Sequence, residues 1–282
     1  MICPNCNSKI DSKNGVCPMC GAELNGAAVR RSGNGGSANY VATSAGGMGM
    51  LFGAAARAAR ANAAYSTDEV ISDRLYNGIL LGVLLWGLIV NFVLCHTIGD
   101  VSRYIHPTLF LILYFVFALV GILIARKSTN PWISFLGYNM IVVPIGLTIS
   151  TAVAAYGGIT STVVRDAFLY TMLITVGITG AAIAFPKLFE KLGGVLIGCL
   201  IGIIVCETVL LIFFRGSSTL NNIIDWAVAG LFSVYIGYDV YRSQQFPKTF
   251  DNAVDSAIDI YLDVANLFFR ILSIIARNRR RD

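Results

Sequence analysis

The chain has 282 residues, of which 56% are hydrophobic and only 13% are charged. An average soluble domain carries about 25% charged residues, and a soluble surface needs more polar side chains than this chain supplies. The composition therefore predicts a polytopic membrane protein and excludes soluble enzymes, disordered tails, coiled coils and nucleic-acid binders. The net charge of +5 is small and lies mainly in loops and at the C-terminus.

The N-terminal segment, residues 1–24, holds two C-x-x-C pairs, Cys3-Pro-Asn-Cys6 and Cys17-Pro-Met-Cys20, separated by ten residues. Four thiolates suit the tetrahedral site that structural Zn²⁺ prefers, and so short a module would fold only by binding the ion. Two disulfides or a redox pair are the alternatives, but disulfides need an oxidising compartment. Residues 1–24 are thus predicted to be a zinc-ribbon with four cysteine ligands, and a protein partner of this module is expected.

Residues 25–71 are rich in Gly, Ala, Ser and Asn and are predicted to be a flexible linker, because that composition cannot bury a core. A second interpretation stays open for residues 48–64, a short helix lying on the membrane surface. No secretory signal is expected, because the first residues do not combine a basic region with an apolar run.

Six apolar segments follow, each near the ~20 residues that cross a hydrocarbon core of about 30 Å. They must be helices, because lipid offers no partner to a free backbone amide. The predicted spans are residues 79–94, 108–125, 132–155, 167–185, 195–214 and 223–241. The whole membrane domain is predicted over residues 72–276, and residues 277–282 form a basic tail.

A seventh segment, residues 253–275, mixes apolar side chains with polar and charged ones: Asp255, Asp259, Asp263, Asn266 and Arg270. Each central carboxylate costs about 3 kcal/mol on insertion scales, so a lipid-facing helix would not tolerate them. The segment is therefore predicted to be surrounded by the other six helices or to line a wet cavity. The predicted fold is all-α, a polytopic membrane protein of seven transmembrane helices with the seventh central, beside the zinc-ribbon.

The placement of Lys and Arg predicts a multi-pass protein of the cell membrane with a cytoplasmic N-terminus. The loops then inside hold Arg74, Arg126, Lys127, Lys187, Lys191, Arg242 and Lys248, and those outside hold only Arg103, Arg165 and Arg215. Four arginines at the C-terminus oppose this orientation if all seven helices cross: Arg277, Arg279, Arg280 and Arg281. Either the rule is overridden there, or the seventh helix does not fully cross.

Asp239 lies near the end of the sixth span, and Asp263 lies in the seventh helix, which follows it directly. A hairpin with equal arms would turn near Asp251 and bring both carboxylates to the same depth. Two carboxylates in a low dielectric cannot both ionise cheaply, so the pair would titrate as a unit and could hold a proton or a hard cation. A static polar knot is the alternative, but intramembrane ionisable groups usually mark ion or proton paths.

Asp251, Asp255, Asp259 and Asp263 recur every four residues, which places them on one slowly drifting stripe of a helix. Asp255 and Asp259 are predicted to extend an ion path from the water boundary toward Asp263. Asp251 is expected to be solvated at the start of the helix, where a carboxylate also suits the helix dipole.

Two further charged residues are candidates for the same site. Arg126 ends the second span at the inner face and is the predicted counter-ion of Asp239. Glu207 lies midway along the fifth span, and its interpretation stays open between a pathway residue and a paired structural one.

Two motifs resemble the closing signature of the Bax inhibitor-1 (transmembrane Bax-inhibitor-motif) family: Tyr-Ile-Gly-Tyr-Asp at 235–239 and Ile-Tyr-Leu-Asp-Val-Ala-Asn-Leu-Phe at 260–268. The loop Phe-Pro-Lys-Leu-Phe-Glu-Lys-Leu-Gly-Gly at 185–194 is similar as well. The resemblance covers roughly residues 72–276 and leaves the zinc-ribbon outside.

This resemblance implies six helices around a central seventh and a pH-sensitive calcium leak channel, with Ca²⁺ as permeant ion and protons as the signal. An aspartate pair would be the sensor and an arginine closing the second helix would be the latch, and Asp239, Asp263 and Arg126 match those roles. One departure is Asp259, which stands where bacterial relatives commonly have a small polar residue.

Two other functions compete with the channel, although no enzyme activity is expected. An intramembrane aspartyl protease also uses two membrane aspartates for general acid–base hydrolysis, but Asp263 lacks the Gly-x-Gly context that such proteases place before the second aspartate. The other is a non-conducting regulatory membrane protein whose zinc-ribbon docks partners.

Overall fold

The computed structural model describes residues 70–128, 130–213 and 218–279, without the side chains of Arg126, Leu211, Ser218 and Thr219. The predicted zinc-ribbon, its four cysteines and nearly all of the predicted linker lie outside the described residues. Those residues form α-helices and one short 3₁₀ helix, Val101–Arg103, without any strand. The α-helices are α1 Asp73–Thr97, α2 Pro107–Lys127, α3 Pro131–Ala155, α4 Thr162–Ala184, α5 Pro186–Glu190, α6 Gly193–Phe213, α7 Ser218–Gln245 and α8 Phe250–Asn278.

Six of these helices, α1, α2, α3, α4, α6 and α7, are long and apolar enough to cross a membrane. Each covers one of the six predicted spans to within one residue, so those predictions are confirmed as helices; residue 214, the end of the fifth span, is not described. Large apolar side chains on their outer faces are exposed, as contact with hydrocarbon requires: Phe92, Phe115, Leu173, Val176 and Ile212. The described bundle is therefore apolar outside, which is the reverse of a soluble protein.

The helices begin where the sequence supplies side-chain caps. The Ser72 hydroxyl accepts a hydrogen bond from the Leu75 amide at the start of α1, and the Thr249 hydroxyl accepts one from the Asn252 amide at the start of α8. Pro131 occupies the first turn of α3, where the missing N–H is no loss. These caps satisfy amides that lipid would leave unpaired.

Helix α8 is central among the described helices. It packs on α1, α3, α4 and α7, and every residue from 251 to 265 is buried by protein. The carboxylates along it are thereby kept away from lipid, as its composition predicts. The surrounding shell differs from the prediction in one respect, because these four helices form most of it rather than all six.

The two ends of α8 lie at opposite ends of the bundle. Near its start, the Tyr76 hydroxyl of α1 donates a hydrogen bond to the Ser243 carbonyl near the end of α7, at 2.9 Å, and lies 3.1 Å from the Ser256 hydroxyl. At its other end, Arg279 Nη2 lies 2.7 Å from Asp166 Oδ2 near the start of α4. With a rise of 1.5 Å per residue, its 29 residues extend about 43 Å.

The short turn between α7 and α8 is closed by Lys248. Its ammonium donates to the carbonyls of Ser243 and Gln244 at 3.3 and 3.0 Å and lies 4.3 Å from the centroid of the Tyr76 ring. Burial lowers the pKa of this ammonium. The lysine thus satisfies the last carbonyls of α7 and fixes the hairpin that aligns α7 with α8.

Helices α2 and α3 approach closely through glycine. A Cβ added at Gly137 would lie 2.6 Å from the Gly121 carbonyl oxygen of the facing helix. No larger residue fits there without separating the two backbones. This contact sets the position of the end of α2 against the start of α3, and the start of α3 adjoins the start of α8.

Candidate functional site

The structure brings Asp239 of α7 and Asp263 of α8 together inside the bundle. Asp263 is fully buried and Asp239 is 4% exposed, and their carboxyl groups lie within hydrogen-bonding reach of each other. A carboxylate has no donor, so two carboxyl groups can hydrogen-bond only when one carries a proton. The geometry is therefore suited to holding a proton between two acids.

Tyr235 adds a polar group beside the pair. Its side chain is fully buried one turn before Asp239 on α7, within electrostatic range of both carboxyl groups. Its hydroxyl has no hydrogen-bond partner among the described residues. The phenolic O–H is thus an unused hydrogen-bond donor near the two acids.

Asp239 also has a counter-ion that the sequence analysis missed. Arg242 Nη1 lies 4.0 Å from Asp239 Oδ1, and both side chains are almost completely buried. The guanidinium lies 5.1 Å from the centroid of the Phe246 ring, which favours a cation there. Placing Arg242 in an inside loop was wrong, because α7 continues to Gln245 and carries this residue into the core. The i, i+3 spacing of a carboxylate and an arginine was the available signal.

The predicted counter-ion, Arg126, lies in the last turn of α2, but its side chain is outside the described part of the chain. The backbone there is linked to the start of α8 through a side chain of α3. The Ser134 hydroxyl of α3 lies 3.2 Å from the carbonyl of Ala125 and 2.5 Å from Asp251 Oδ1. The role of Arg126 as a latch therefore stays a prediction.

The acidic stripe of α8 is buried along its whole length. Asp255 and Asp259 are each 4% exposed. The expectation that Asp251 is solvated was wrong, because this residue is fully buried and accepts a hydrogen bond from Ser134. The cause is the start of α3, which covers the first turn of α8.

A second group of charges, which we name the Arg270 cluster, lies toward the other end of α8. Arg270 bridges two helices, with Nη2 2.5 Å from Glu207 Oε1 of α6 and Nη1 3.0 Å from Asp225 Oδ1 of α7. Asp225 Oδ2 lies 2.7 Å from Arg277 Nη2 and accepts a hydrogen bond from Ser273 at 3.0 Å. Glu207 is thus in an ion pair with Arg270, and its role as a pathway residue or a structural one stays a prediction.

Comparison with known proteins assigns the family. The family described as Inhibitor of apoptosis-promoting Bax1 matches residues 67–280. The chain belongs to this Bax inhibitor family. The matched region includes all described helices, both aspartates of the pair and the Arg270 cluster, and it begins after the predicted zinc-ribbon.

Named relatives agree with this Bax inhibitor assignment. Bax inhibitor 1 of Schizosaccharomyces pombe is 31% identical over 185 residues, covering 63% of this chain and 65% of the yeast protein. Protein LIFEGUARD 1 of Arabidopsis thaliana is 30% identical over 174 residues, covering 59% of this chain and 70% of the plant protein. An uncharacterized protein of Helicobacter pylori is 39% identical over 93 residues, covering 33% of this chain and 38% of its own length. The chain thus spans between 38% and 70% of these three relatives.

In the Bax inhibitor domain, two of the arginines that oppose the predicted orientation are paired with carboxylates. Arg277 pairs with Asp225, and Arg279 pairs with Asp166 and lies against the Thr162 hydroxyl of α4. The remaining arginines of the tail, residues 280 and 281, are outside the described part.

Among the residues described, no group of three or more His, Cys, Asp or Glu side chains is placed to hold a metal ion. Because the α8 aspartates are four residues apart, each lies about 6 Å farther along the helix axis than the one before it. The site within the described bundle is therefore best understood as a pair of acids with a neighbouring arginine.

Proposed function

We propose that this Bax inhibitor family protein is a pH-sensitive Ca²⁺ leak channel gated by protonation of the Asp239–Asp263 pair. The observation that supports it is the contact of two carboxyl groups inside the bundle, with Arg242 beside them. One shared proton and one arginine make this group of three side chains neutral, and neutrality is what a low dielectric favours.

Acid disturbs this neutral arrangement. A second proton removes the charge of Asp239 and leaves Arg242 as a buried cation without its partner. Breaking a buried pair in this way costs about 3 to 5 kcal/mol, which favours conformations in which the guanidinium reaches water. Because Asp239 and Arg242 are on α7 and Asp263 is on α8, such a movement separates the two helices, and Ca²⁺ flux is expected to rise as the pH falls.

The path that we propose runs along α8. The helix reaches from the start of α1 to the start of α4, which supports a seventh crossing. The cytoplasmic N-terminus and the cell-membrane location remain part of the proposal. Asp251, Asp255 and Asp259 supply carboxylate oxygens between the inner end and the pair, and Ca²⁺ binds hard oxygen ligands. When Arg126 is also directed at Asp239, it adds a second cation that acid would release.

The test is Ca²⁺ flux into liposomes that hold the purified protein, measured from neutral to acid pH. Flux from the wild type is expected to increase with acid, and Asp263→Asn and Asp239→Asn are expected to remove that dependence. Asp100→Asn, a loop carboxylate hydrogen-bonded to Ser102, is the matched control and should behave as wild type. Unchanged pH dependence in Asp263→Asn would contradict the gating mechanism.

The contact of two aspartates also suits general acid–base hydrolysis, so an intramembrane aspartyl protease is the second candidate. The same preparations would be incubated with a labelled transmembrane peptide. Cleavage by the wild type that Asp263→Asn abolishes, together with no flux at any pH, would favour the protease. Absence of both flux and cleavage from folded protein would favour a non-conducting regulatory protein.

We further propose that Cys3, Cys6, Cys17 and Cys20 hold one structural Zn²⁺, because two C-x-x-C pairs supply the four thiolates of a closed tetrahedral site. Elemental analysis of the full chain is expected to find one zinc per protein, and less in Cys17→Ser. A chain shortened to begin at Ser66 that keeps pH-dependent flux would make this module accessory to conduction, available for a protein partner.

A further inference from the structure

The aspartate pair and the Arg270 cluster lie on one face of the contact between α7 and α8. On α8, Asp263, Arg270 and Arg277 are spaced by seven residues, and on α7, Asp225 and Asp239 are separated by twice that spacing. Seven residues return to within about 20° of the same face of a helix. We name this shared face the α7–α8 seam; its two charged groups are about 21 Å apart on α7 and about 10 Å apart, from Asp263 to Arg270, on α8.

Apolar side chains separate the two charged groups along the seam. Phe232 is midway between Asp225 and Asp239 on α7 and is 8% exposed, and Leu267 lies between Asp263 and Arg270 on α8 and is fully buried. Both belong to the hydrophobic core. Along the seam, the carboxyl pair is therefore followed by an apolar layer and then by a cluster of ion pairs.

Arg270 occupies a particular place at the far end of the seam. Its guanidinium lies between carboxylates of two different helices, at 2.5 Å from Glu207 and 3.0 Å from Asp225. With Arg277 included, the cluster has two cations and two anions and is neutral. Removing one positive charge would make it net negative, and removing one negative charge would make it net positive.

We propose that Arg270 is a second barrier to cations, at the opposite end of the seam from the aspartate pair. Its guanidinium neutralises the two carboxylates that would otherwise attract a permeating cation, and it repels Ca²⁺ where α6, α7 and α8 meet. The inference builds on the proposed channel, since it assigns a residue to the far end of the same path. It follows that the aspartate pair sets the pH at which flux begins, whereas the net charge of the Arg270 cluster sets how large the flux is.

Because substitutions can make the cluster net negative or net positive, the proposal predicts opposite changes in Ca²⁺ flux for the two kinds of variant. In liposomes at acid pH, Arg270→Gln is expected to raise Ca²⁺ flux about tenfold, the lower range for a charge that changes local ion concentration. Glu207→Gln makes the cluster net positive and is expected to lower the flux by a similar factor. Arg270→Lys keeps the charge and should stay near wild type, and the pH midpoint should be unchanged in all three.

A merely structural role for the cluster predicts a different pattern. If the ion pairs only hold helices together, Arg270→Gln and Glu207→Gln would both loosen the bundle and shift flux in the same direction. That result, or wild-type flux in both variants, would overturn the proposal. Thermal unfolding in detergent identifies a variant that does not fold, and Glu207, which is about one-third exposed, tolerates substitution best. Wild type without flux at any pH would instead contradict the channel itself.

Discussion

Replacing Arg242 by Gln removes the positive charge that lies 4.0 Å from Asp239. The carboxylate of Asp239 then loses a buried partner, whereas the protonated pair loses nothing. The pair is therefore expected to accept its second proton at a higher pH in Arg242→Gln than in the wild type. Because we link that proton to opening, the pH midpoint of Ca²⁺ flux should move nearer neutral pH, and the flux reached in acid should be lower than in the wild type because no buried guanidinium is left to drive the helices apart.

The size of the shift follows from Coulomb's law. Two unit charges 4.0 Å apart interact by about 4 kcal/mol at an effective dielectric constant of 20. One pH unit corresponds to about 1.4 kcal/mol, so the upper limit is about three units. Part of this energy offsets the desolvation of the guanidinium, and we expect a shift of about one to two pH units.

The assay is Ca²⁺ flux into liposomes across a pH series, with the midpoint as the readout. Arg242→Lys keeps a positive charge on the same turn and is the matched control, whose midpoint should remain close to that of the wild type. Thermal unfolding in detergent verifies that both variants fold. A folded Arg242→Gln protein with an unchanged midpoint would refute the assignment of this arginine as the counter-ion.

Two further substitutions test the packing that positions the site. Gly137→Ala places a Cβ 2.6 Å from the Gly121 carbonyl and should destabilise the fold by about 1 to 3 kcal/mol. Gly180→Ala, with no atom within 4 Å of the added Cβ, should unfold at the wild-type temperature or above, and equal behaviour of the two would contradict the close contact. Ser134→Ala removes the hydroxyl 2.5 Å from Asp251 and should cost about 1.5 to 3 kcal/mol, seen as a lower unfolding temperature. An unaltered temperature would mean that this hydrogen bond contributes nothing.

The spans and the central helix were predictable because each prediction needs only the composition of one helix and the medium that such a composition tolerates. A long continuous apolar segment is stable only in contact with lipid, so the hydropathy of the sequence is enough to identify the spans. The carboxylates of residues 253–275 require the opposite, and the complete burial of residues 251 to 265 satisfies that requirement. The helix boundaries were less accurate, and α7 in particular extends four residues beyond the predicted span.

The surroundings of the aspartates were less predictable because they depend on neighbouring helices. The burial of Asp251 depends on the position of α3, which a pattern within α8 does not specify. The pairing of Arg242 with Asp239 requires knowing that α7 is still helical at residue 242. A sequence with charged residues at i, i+3 near a predicted helix end leaves that question undecided.

The Arg270 cluster illustrates the same limit across three helices. The seven-residue spacing of Asp263, Arg270 and Arg277 is visible in the sequence and predicts a shared face. The partners on α6 and α7, Glu207 and Asp225, follow only from how those helices pack. Charge pairing between helices is therefore information that the three-dimensional structure adds.

In the proposed mechanism, protonation of the Asp239–Asp263 pair opens the path for Ca²⁺. Infrared difference spectra of the protein in liposomes, recorded over the same pH series as Ca²⁺ flux, measure both events in one sample. We predict a protonated carboxyl band that grows with the same midpoint as the flux, and growth of that band is lost, together with the pH dependence, in Asp239→Asn. Flux that changes with pH while the carboxyl band stays constant, or a band that still grows in Asp239→Asn, would contradict the proposed gating.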